Sequence, residues 1–168
     1  AGTVDTATAG TYTLTYSAID SAGNEATAIT RTIIVADTIA PVIVLNGAAN
    51  LSHEQGTTYT DAGATASDIA DGSVTVTTSG TVDTTTAGTY TLTYSATDSA
   101  GNAASAVTRT VIVADTMAPI ITLSGSASVN HEQGTTYSDA GASASDSVDG
   151  SVSVTTSGTV DTATAGTY

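Results

Sequence analysis

The chain of 168 residues repeats its own sequence with a 78-residue period. Gly2–Ser79 aligns without gaps with Gly80–Ser157, and 59 of the 78 aligned positions are identical. The same pattern starts again at Gly158. A period of this length predicts a tandem array of small structural units and excludes one large domain, because every copy of the repeat must build the same supersecondary structure.

Composition excludes several classes of function. The sequence has no cysteine and no lysine, and the net charge is −14 with Arg31 and Arg109 as its two basic side chains. Disulfides, thiolate metal sites, cysteine nucleophiles and Schiff-base lysines are therefore excluded. Nucleic acid is not an expected partner, because it is bound through lysine and arginine. Membrane insertion is not expected either, because no apolar run reaches the roughly 18 residues needed to span a bilayer.

The residue pattern predicts an all-β fold. Threonine, valine, isoleucine and tyrosine favour strands and recur throughout, whereas strong helix formers are scarce. In the clearest strand, Thr89–Asp98, the side chains of Tyr90, Leu92, Tyr94 and Ala96 share one face. The other strands predicted in this copy are Pro41–Leu45 with Ile43 and Leu45 inward, Leu51–Glu54, Thr57–Asp61, Ala64–Ser67, Ser73–Thr78 and Ala103–Val113. About seven short strands per repeat, separated by turn signals, indicate a β-sandwich.

Two positions of the predicted strands are unusual. Tyr90 follows Gly88-Thr89, which is typical of the tyrosine corner of immunoglobulin-type sandwiches, where the hydroxyl binds upstream backbone. The alternative is a half-buried strand aromatic without that bond. Arg109 shares a face with Val107 and Val111, so the inward face of the last strand is ambiguous, and a bulge would resolve it.

The two prolines mark the expected domain boundaries. Pro41 and Pro119 each follow an Asp-Thr-x-Ala string and separate two predicted strands, and proline blocks continuous pairing. We therefore expect residues 1–38 to be the C-terminal part of one repeat, 39–116 a complete repeat and 117–168 the N-terminal part of the next. Because the chain begins at Ala1 without a basic, apolar leader, we expect a processed chain or an internal slice of a longer one.

Four segments carry a resemblance to the Ig-like repeats of bacterial surface proteins, which are related in pattern to hyalin repeats. They are Ala40-Pro41, Tyr59-x-Asp61-x-Gly63, Gly88-x-Tyr90 and Asp98-Ser99-Ala100-Gly101-Asn102. Repeats of this kind are similar to spacer modules of large secreted adhesins and biofilm-matrix proteins. The resemblance implies tandem sandwiches without a disulfide, located outside the cell, at the cell surface or in a secreted matrix.

Calcium is the one cofactor that the sequence suggests. A small domain of this kind, without disulfides, has a small core, and a bound metal ion is one common way to stabilise it. Ca²⁺ prefers six to eight oxygen ligands from carboxylates, amides and carbonyls, and acidic residues cluster in the predicted loops and junctions. The candidate ligands are Asp37, Asp68, Asp71, Asp98, Asn102, Asp115, Asp146 and Asp149. The alternative is that these residues are solvated loop and turn side chains.

No catalytic motif is present, so we expect no enzyme. His53 and His131 each lie in a His-Glu-Gln-Gly string, which lacks the second histidine of the His-Glu-x-x-His zinc pattern. The leading hypothesis is a structural repeat of an extracellular bacterial stalk, fibre or adhesin, whose partners are neighbouring repeats or copies of the same chain. The alternatives are a carbohydrate- or receptor-binding adhesin module, and a filament subunit joined by inter-chain strand complementation.

Overall fold

The computed structural model describes residues 2–167, and every regular element among them is a β-strand. The all-β prediction is therefore confirmed. The strands are β1 (Gly10–Tyr16), β2 (Ile29–Val35), β3 (Val42–Leu45), β4 (Asn50–Glu54), β5 (Ala64–Asp68), β6 (Gly72–Val74), β7 (Val76–Ser79), β8 (Gly88–Ala96), β9 (Val107–Ala114), β10 (Ile120–Leu123), β11 (Ala142–Asp146) and β12 (Gly150–Val152).

The seven strands β3 to β9 form the two sheets of an Ig-like sandwich. One sheet has the order β3-β5-β6 and the other β4-β9-β8-β7. Seven strands is also the number in the constant-type immunoglobulin sandwich, as the turn spacing predicted. The remaining strands form a two-stranded sheet, β1-β2, and a three-stranded sheet, β10-β11-β12. In the repeating sequence these two sheets are the equivalents of β8-β9 and of β3-β5-β6.

The chain folds as two compact units. Unit 1 contains the residues up to 49 together with 61–81 and 91–110, and unit 2 contains 50–60, 82–90 and the residues from 111 onward. The buried apolar side chains of unit 1 are Ile43, Ala66, Leu92, Tyr94 and Ala96, and those of unit 2 are Val111, Val113 and Ala144. The predicted inward faces of β3 and β8 are confirmed, because Ile43 is 8% exposed and Tyr94 is fully buried, whereas Val42 and Val44 are exposed.

Two of the predicted strands are wrong in extent. The segment 57–61 is not a strand; its side chains turn to other partners, since the Thr57 hydroxyl bonds the Glu54 carbonyl and Tyr59 packs edge-on against His53. The alternating run 73–78 is divided at Thr75 into β6 and β7. The reason is pairing: Val74 lies opposite Ala66 of β5, whereas Val76 lies opposite Ala96 of β8, so the chain changes sheets within the run.

Arg109 points inward, and no bulge is needed to explain its position. Its side chain is 1% exposed and forms an ion pair with Asp61. Nη1 also donates to the Tyr94 hydroxyl at 3.0 Å, and Nε donates to the Ala48 carbonyl at 3.0 Å. Nη2 donates to the carbonyls of Asn46 at 2.6 Å and Gly63 at 3.3 Å. A buried guanidinium is stable only when its donors are used in this way.

Asp61 is the charged partner in this network. Burial raises the pKa of Asp61, but hydrogen bonds from Tyr94 and Arg109 and the charge of Arg109 lower it more, so the carboxyl titrates below its usual range. The carboxylate therefore stays ionised and compensates the buried guanidinium. The sequence drew attention to Tyr59-x-Asp61-x-Gly63 and to Arg109 separately, and the structure shows that Asp61 and the Gly63 carbonyl bind Arg109.

The tyrosine corner is confirmed. The Tyr90 hydroxyl donates to the Thr86 carbonyl at 2.8 Å, four residues upstream. The corresponding Tyr12 hydroxyl donates to the Thr8 carbonyl, also at 2.8 Å. The corner holds the chain against the start of β8 without the cysteine that accompanies it in antibody domains.

Candidate functional site

Three aspartates that are distant in sequence meet in unit 1. Asp37 lies two residues after β2, Asp68 is the last residue of β5, and Asp98 lies two residues after β8. One carboxylate oxygen from each residue lies within 4.8 Å of the other two. Three of the eight predicted metal ligands are therefore brought together by loops that follow three different strands.

Each aspartate is held by hydrogen bonds that its carboxylate accepts from nearby groups. The Ile39 amide donates to Asp37 Oδ1 at 3.2 Å, and the Ala70 amide donates to Asp68 Oδ1 at 2.7 Å. The Asp98 carboxylate accepts both the amide and the side-chain Nδ2 of Asn102, at 2.7 and 2.8 Å. These local bonds fix the directions of all three carboxylates.

The remaining oxygens of two of the aspartates have no donor. Asp37 Oδ2 and Asp68 Oδ2 are both buried, and neither has a hydrogen-bond partner. Asp98 itself is 7% exposed. Burial raises the pKa of Asp98, but the Asn102 bonds outweigh it, so its pKa lies below the usual range and the group is anionic at neutral pH. The cluster therefore concentrates negative charge at a site shielded from water.

Two further predicted ligands surround this cluster without joining it. The side-chain Nδ2 of Asn102 donates to the Asp37 carbonyl at 3.3 Å as well as to Asp98, so it ties the predicted hairpin turn to the Asp37 segment. Asp71 is engaged by Ser99, whose amide and hydroxyl donate to its carboxylate at 2.6 and 2.8 Å. Their roles as metal ligands stay predictions.

The other predicted ligands, Asp115, Asp146 and Asp149, belong to unit 2. Asp146 repeats the turn of Asp68, since its Oδ1 accepts the amides of Val148 and Asp149 at 2.7 and 3.1 Å. Burial raises the pKa of Asp115, and the nearby negative charges of Asp146, Glu54 and Asp149 raise it further. A three-carboxylate cluster like that of unit 1 does not form among the described residues of unit 2.

The two histidines have structural contacts. His53 Nε2 lies 3.1 Å from the Thr57 hydroxyl, and its ring packs edge-on against Tyr59 with centroids 5.2 Å apart. His131 repeats this arrangement with Thr135 and Tyr137. Each histidine thus stabilises the turn that follows it.

A family model, bacterial surface protein, Ig-like domain, matches residues 1–35, 43–113 and 121–168. The crystal structure of a lipoprotein from Bacteroides thetaiotaomicron is similar at 32% identity over 46% of this chain, with a TM-score of 0.41. That match spans 39% of the lipoprotein's own length. No curated protein matches the sequence.

The described residues contain no helix that is long and apolar enough to cross a membrane. The family match covers most of the sequence, and its second and third segments begin at the equivalent positions 43 and 121 of the repeat. The resemblance to Ig-like domains of bacterial surface proteins is thereby confirmed, while the tandem array and the relation to hyalin repeats stay predictions. The chain belongs to the family of Ig-like domains of bacterial surface proteins.

Proposed function

We propose that the chain is a non-enzymatic structural repeat of an extracellular bacterial stalk, fibre or adhesin, which extends the protein from the cell surface for adhesion or matrix formation. The observation that carries the proposal is the 78-residue repeat with 59 identical positions in a bacterial surface Ig-like family. Near-identical copies suit a spacer, whose units do the same mechanical work, better than a specialised binding tip.

The polar side chains of the fold support this proposal. Arg109, Asp61 and Tyr94 bond one another or backbone carbonyls in unit 1, and Tyr90 bonds backbone in unit 2. Bonds of this kind stabilise the module and keep these groups from reacting with a substrate. The carbohydrate- or receptor-binding alternative stays a prediction, which a glycan array with the whole chain tests.

The proposed repeat unit is 39–116, with 1–38 and 117–168 as parts of its neighbours. Its longest strand, β8, has nine residues and spans roughly 30 Å at 3.3 Å per residue. Sandwiches joined end to end through short proline-containing junctions would each add a few tens of ångströms to a stalk.

Surface display tests this role. One, three or six copies of the repeat are placed between a membrane anchor and a fluorescent tip on a bacterial cell, and the height of the tip is measured by localisation microscopy. We expect the height to rise by roughly 20–30 Å per repeat. A control series with one, three and six copies carrying Arg109→Ala, which removes the buried ion pair and destabilises the repeat, should lose the proportionality. A tip height independent of copy number would contradict the proposal.

A second candidate, a filament subunit joined by strand complementation, is supported by a groove in unit 2. The groove encloses about 880 Å³, and its lining includes Ile121, Leu123, Tyr137 and Asp139. These residues correspond to Ile43, Leu45, Tyr59 and Asp61, and Asp61 binds Tyr94 and Arg109. In the β1-β2 hairpin, Tyr16 and Arg31 are the equivalents of Tyr94 and Arg109, and both are exposed.

Light scattering with the whole chain tests the filament candidate. Hairpin donation between copies predicts a mass that grows with concentration. It also predicts that a chain with Arg31→Asp and a chain with Asp139→Arg each fail to assemble alone. The two chains should assemble when mixed, because the charges of hairpin and groove are then opposite again. A constant monomer mass at all concentrations would rule the filament out and leave the stalk proposal intact.

A further inference from the structure

We infer that Asp37, Asp68 and Asp98 form a binding site for a calcium ion. The ion would connect the segment that precedes the proline junction with two loops of the adjoining sandwich. Binding of the ion does not depend on the proposed stalk function.

Two buried carboxylate oxygens of the cluster have no hydrogen-bond donor. Asp37 Oδ2 and Asp68 Oδ2 are excluded from water and lack a partner, although both residues bind backbone amides through Oδ1. Buried polar atoms in native proteins are nearly always satisfied, and an unpaired carboxylate oxygen is among the costliest exceptions. An ion bound by the three carboxylates would supply the missing partner of these oxygens.

The charge of the three carboxylates also favours a bound cation. The carboxylates lie together, and among residues 2–167 no basic side chain forms an ion pair with them. Of the two arginines in the sequence, Arg109 is paired with Asp61, and Arg31 lies over the ring of Tyr16 at 5.8 Å. The only ion pair among the described residues is that of Arg109 with Asp61. The positive charge that balances the cluster must therefore come from solution.

The distances between the carboxylate oxygens fit a single calcium ion. Two oxygens bound to one Ca²⁺ at about 2.4 Å lie at most about 4.8 Å apart. The three carboxylate oxygens all lie within 4.8 Å of one another, so a single ion can contact all of them without a large rearrangement. Calcium also accepts water and carbonyl oxygens in irregular arrangements, which suits a site built from three loops.

The repeat supplies a matched control for this site. Asp20 corresponds to Asp98 and makes the same bonds to Asn24 that Asp98 makes to Asn102, but Asp20 is exposed. Asp20 does not belong to a cluster of three acidic groups in the part of the chain that the structure describes. Substitution of Asp20 therefore removes an aspartate from an equivalent turn without removing a candidate ligand.

Isothermal titration of the whole chain with CaCl₂, after removal of metal by chelator, tests the site. We expect one ion per chain and a melting temperature that rises with calcium concentration, because an ion that binds only the folded state stabilises it. Asp68→Asn should weaken binding by at least about tenfold, which is the loss typical when a ligand or its support is altered. The matched control Asp20→Asn should bind as the unaltered chain does.

Asp37→Asn is a second site variant, for use if Asp68→Asn does not fold by circular dichroism. NaCl at matched ionic strength should leave the melting temperature unchanged. The inference is overturned if millimolar calcium produces neither heat nor a thermal shift, if NaCl reproduces the shift, or if the folded site variants bind calcium like the control. None of these results bears on tip height in the display experiment, so the two proposals fail separately.

Discussion

Residues of the same type at equivalent positions of the repeat have different roles because their surroundings differ. Arg109 is buried among an aspartate, a tyrosine hydroxyl and three carbonyls, whereas Arg31 is exposed beside Tyr16. Ile43 is 8% exposed and Ile121 is 64% exposed. A side chain's contribution to stability is therefore decided by what packs around it and not by its identity.

Arg109→Met tests the buried network. The change removes the positive charge that pairs with the Asp61 carboxylate and the donors to the carbonyls of Asn46 and Ala48, so we expect the free energy of unfolding to fall by about 3–5 kcal/mol. Urea unfolding followed by circular dichroism measures the loss. The matched variant Arg31→Met removes an exposed side chain and should change stability by no more than about 0.5 kcal/mol. Equal effects of the two substitutions would contradict the network's role.

The sequence predicted individual residues of the candidate site, but it did not predict that Asp37, Asp68 and Asp98 lie close together. The hairpin of Asp98 and Asn102 follows from local turn chemistry, and the structure confirms the turn, with Gly101 at φ 93°. Asp37 and Asp98 are far apart in the sequence. They come close because of the order of the strands in the sheets, and no local sequence pattern predicts that order. The inward position of Arg109 was ambiguous for the same reason, because its partner Asp61 lies several strands earlier in the chain.

At the scale of elements, a strand forms where it has a partner. Asn50–Glu54 is a strand because it is the edge of a sheet and pairs with β9. The corresponding residues 128–132 are not a strand, although His131 and Glu132 repeat His53 and Glu54. Strand bounds could therefore be predicted where alternation and turns agree, as in β8, but not where pairing with a distant strand decides the outcome.

Gly80 tests how closely the chain after β7 approaches β8. Gly80 has φ 94°, and a Cβ at this position would collide with the carbonyl oxygen of Thr91. Gly158 has φ 106° and no atom within 4 Å of the same position. Both Gly→Ala changes carry the cost of the left-handed backbone, about 1 kcal/mol, and Gly80→Ala adds a backbone clash.

We expect Gly80→Ala to lower the free energy of unfolding by at least about 2 kcal/mol more than Gly158→Ala does. Thermal and urea unfolding of the two variants, measured in parallel with the unaltered chain, give the difference. Losses of the same size would show that the approach of Gly80 to Thr91 does not constrain the fold.

At the scale of the whole molecule, the proposed stalk would use one fold many times. The residues of the tyrosine corner and of the arginine network recur in the sequence with a 78-residue period. The surface family match is consistent with a stalk that gains length by adding modules. The proposal requires that the added modules extend the stalk instead of packing together or forming a flexible string.

Small-angle X-ray scattering of arrays with three and six copies of Ile39–Thr116 tests that claim most directly. A semi-rigid stalk predicts that the radius of gyration rises by a factor of about 2, because a rod's radius of gyration is proportional to its length. Compact packing of the copies predicts a factor of about 1.3, and a flexible string of beads a factor of about 1.4–1.5. A ratio near 2 is the expected result, and a ratio of 1.5 or less would contradict the account.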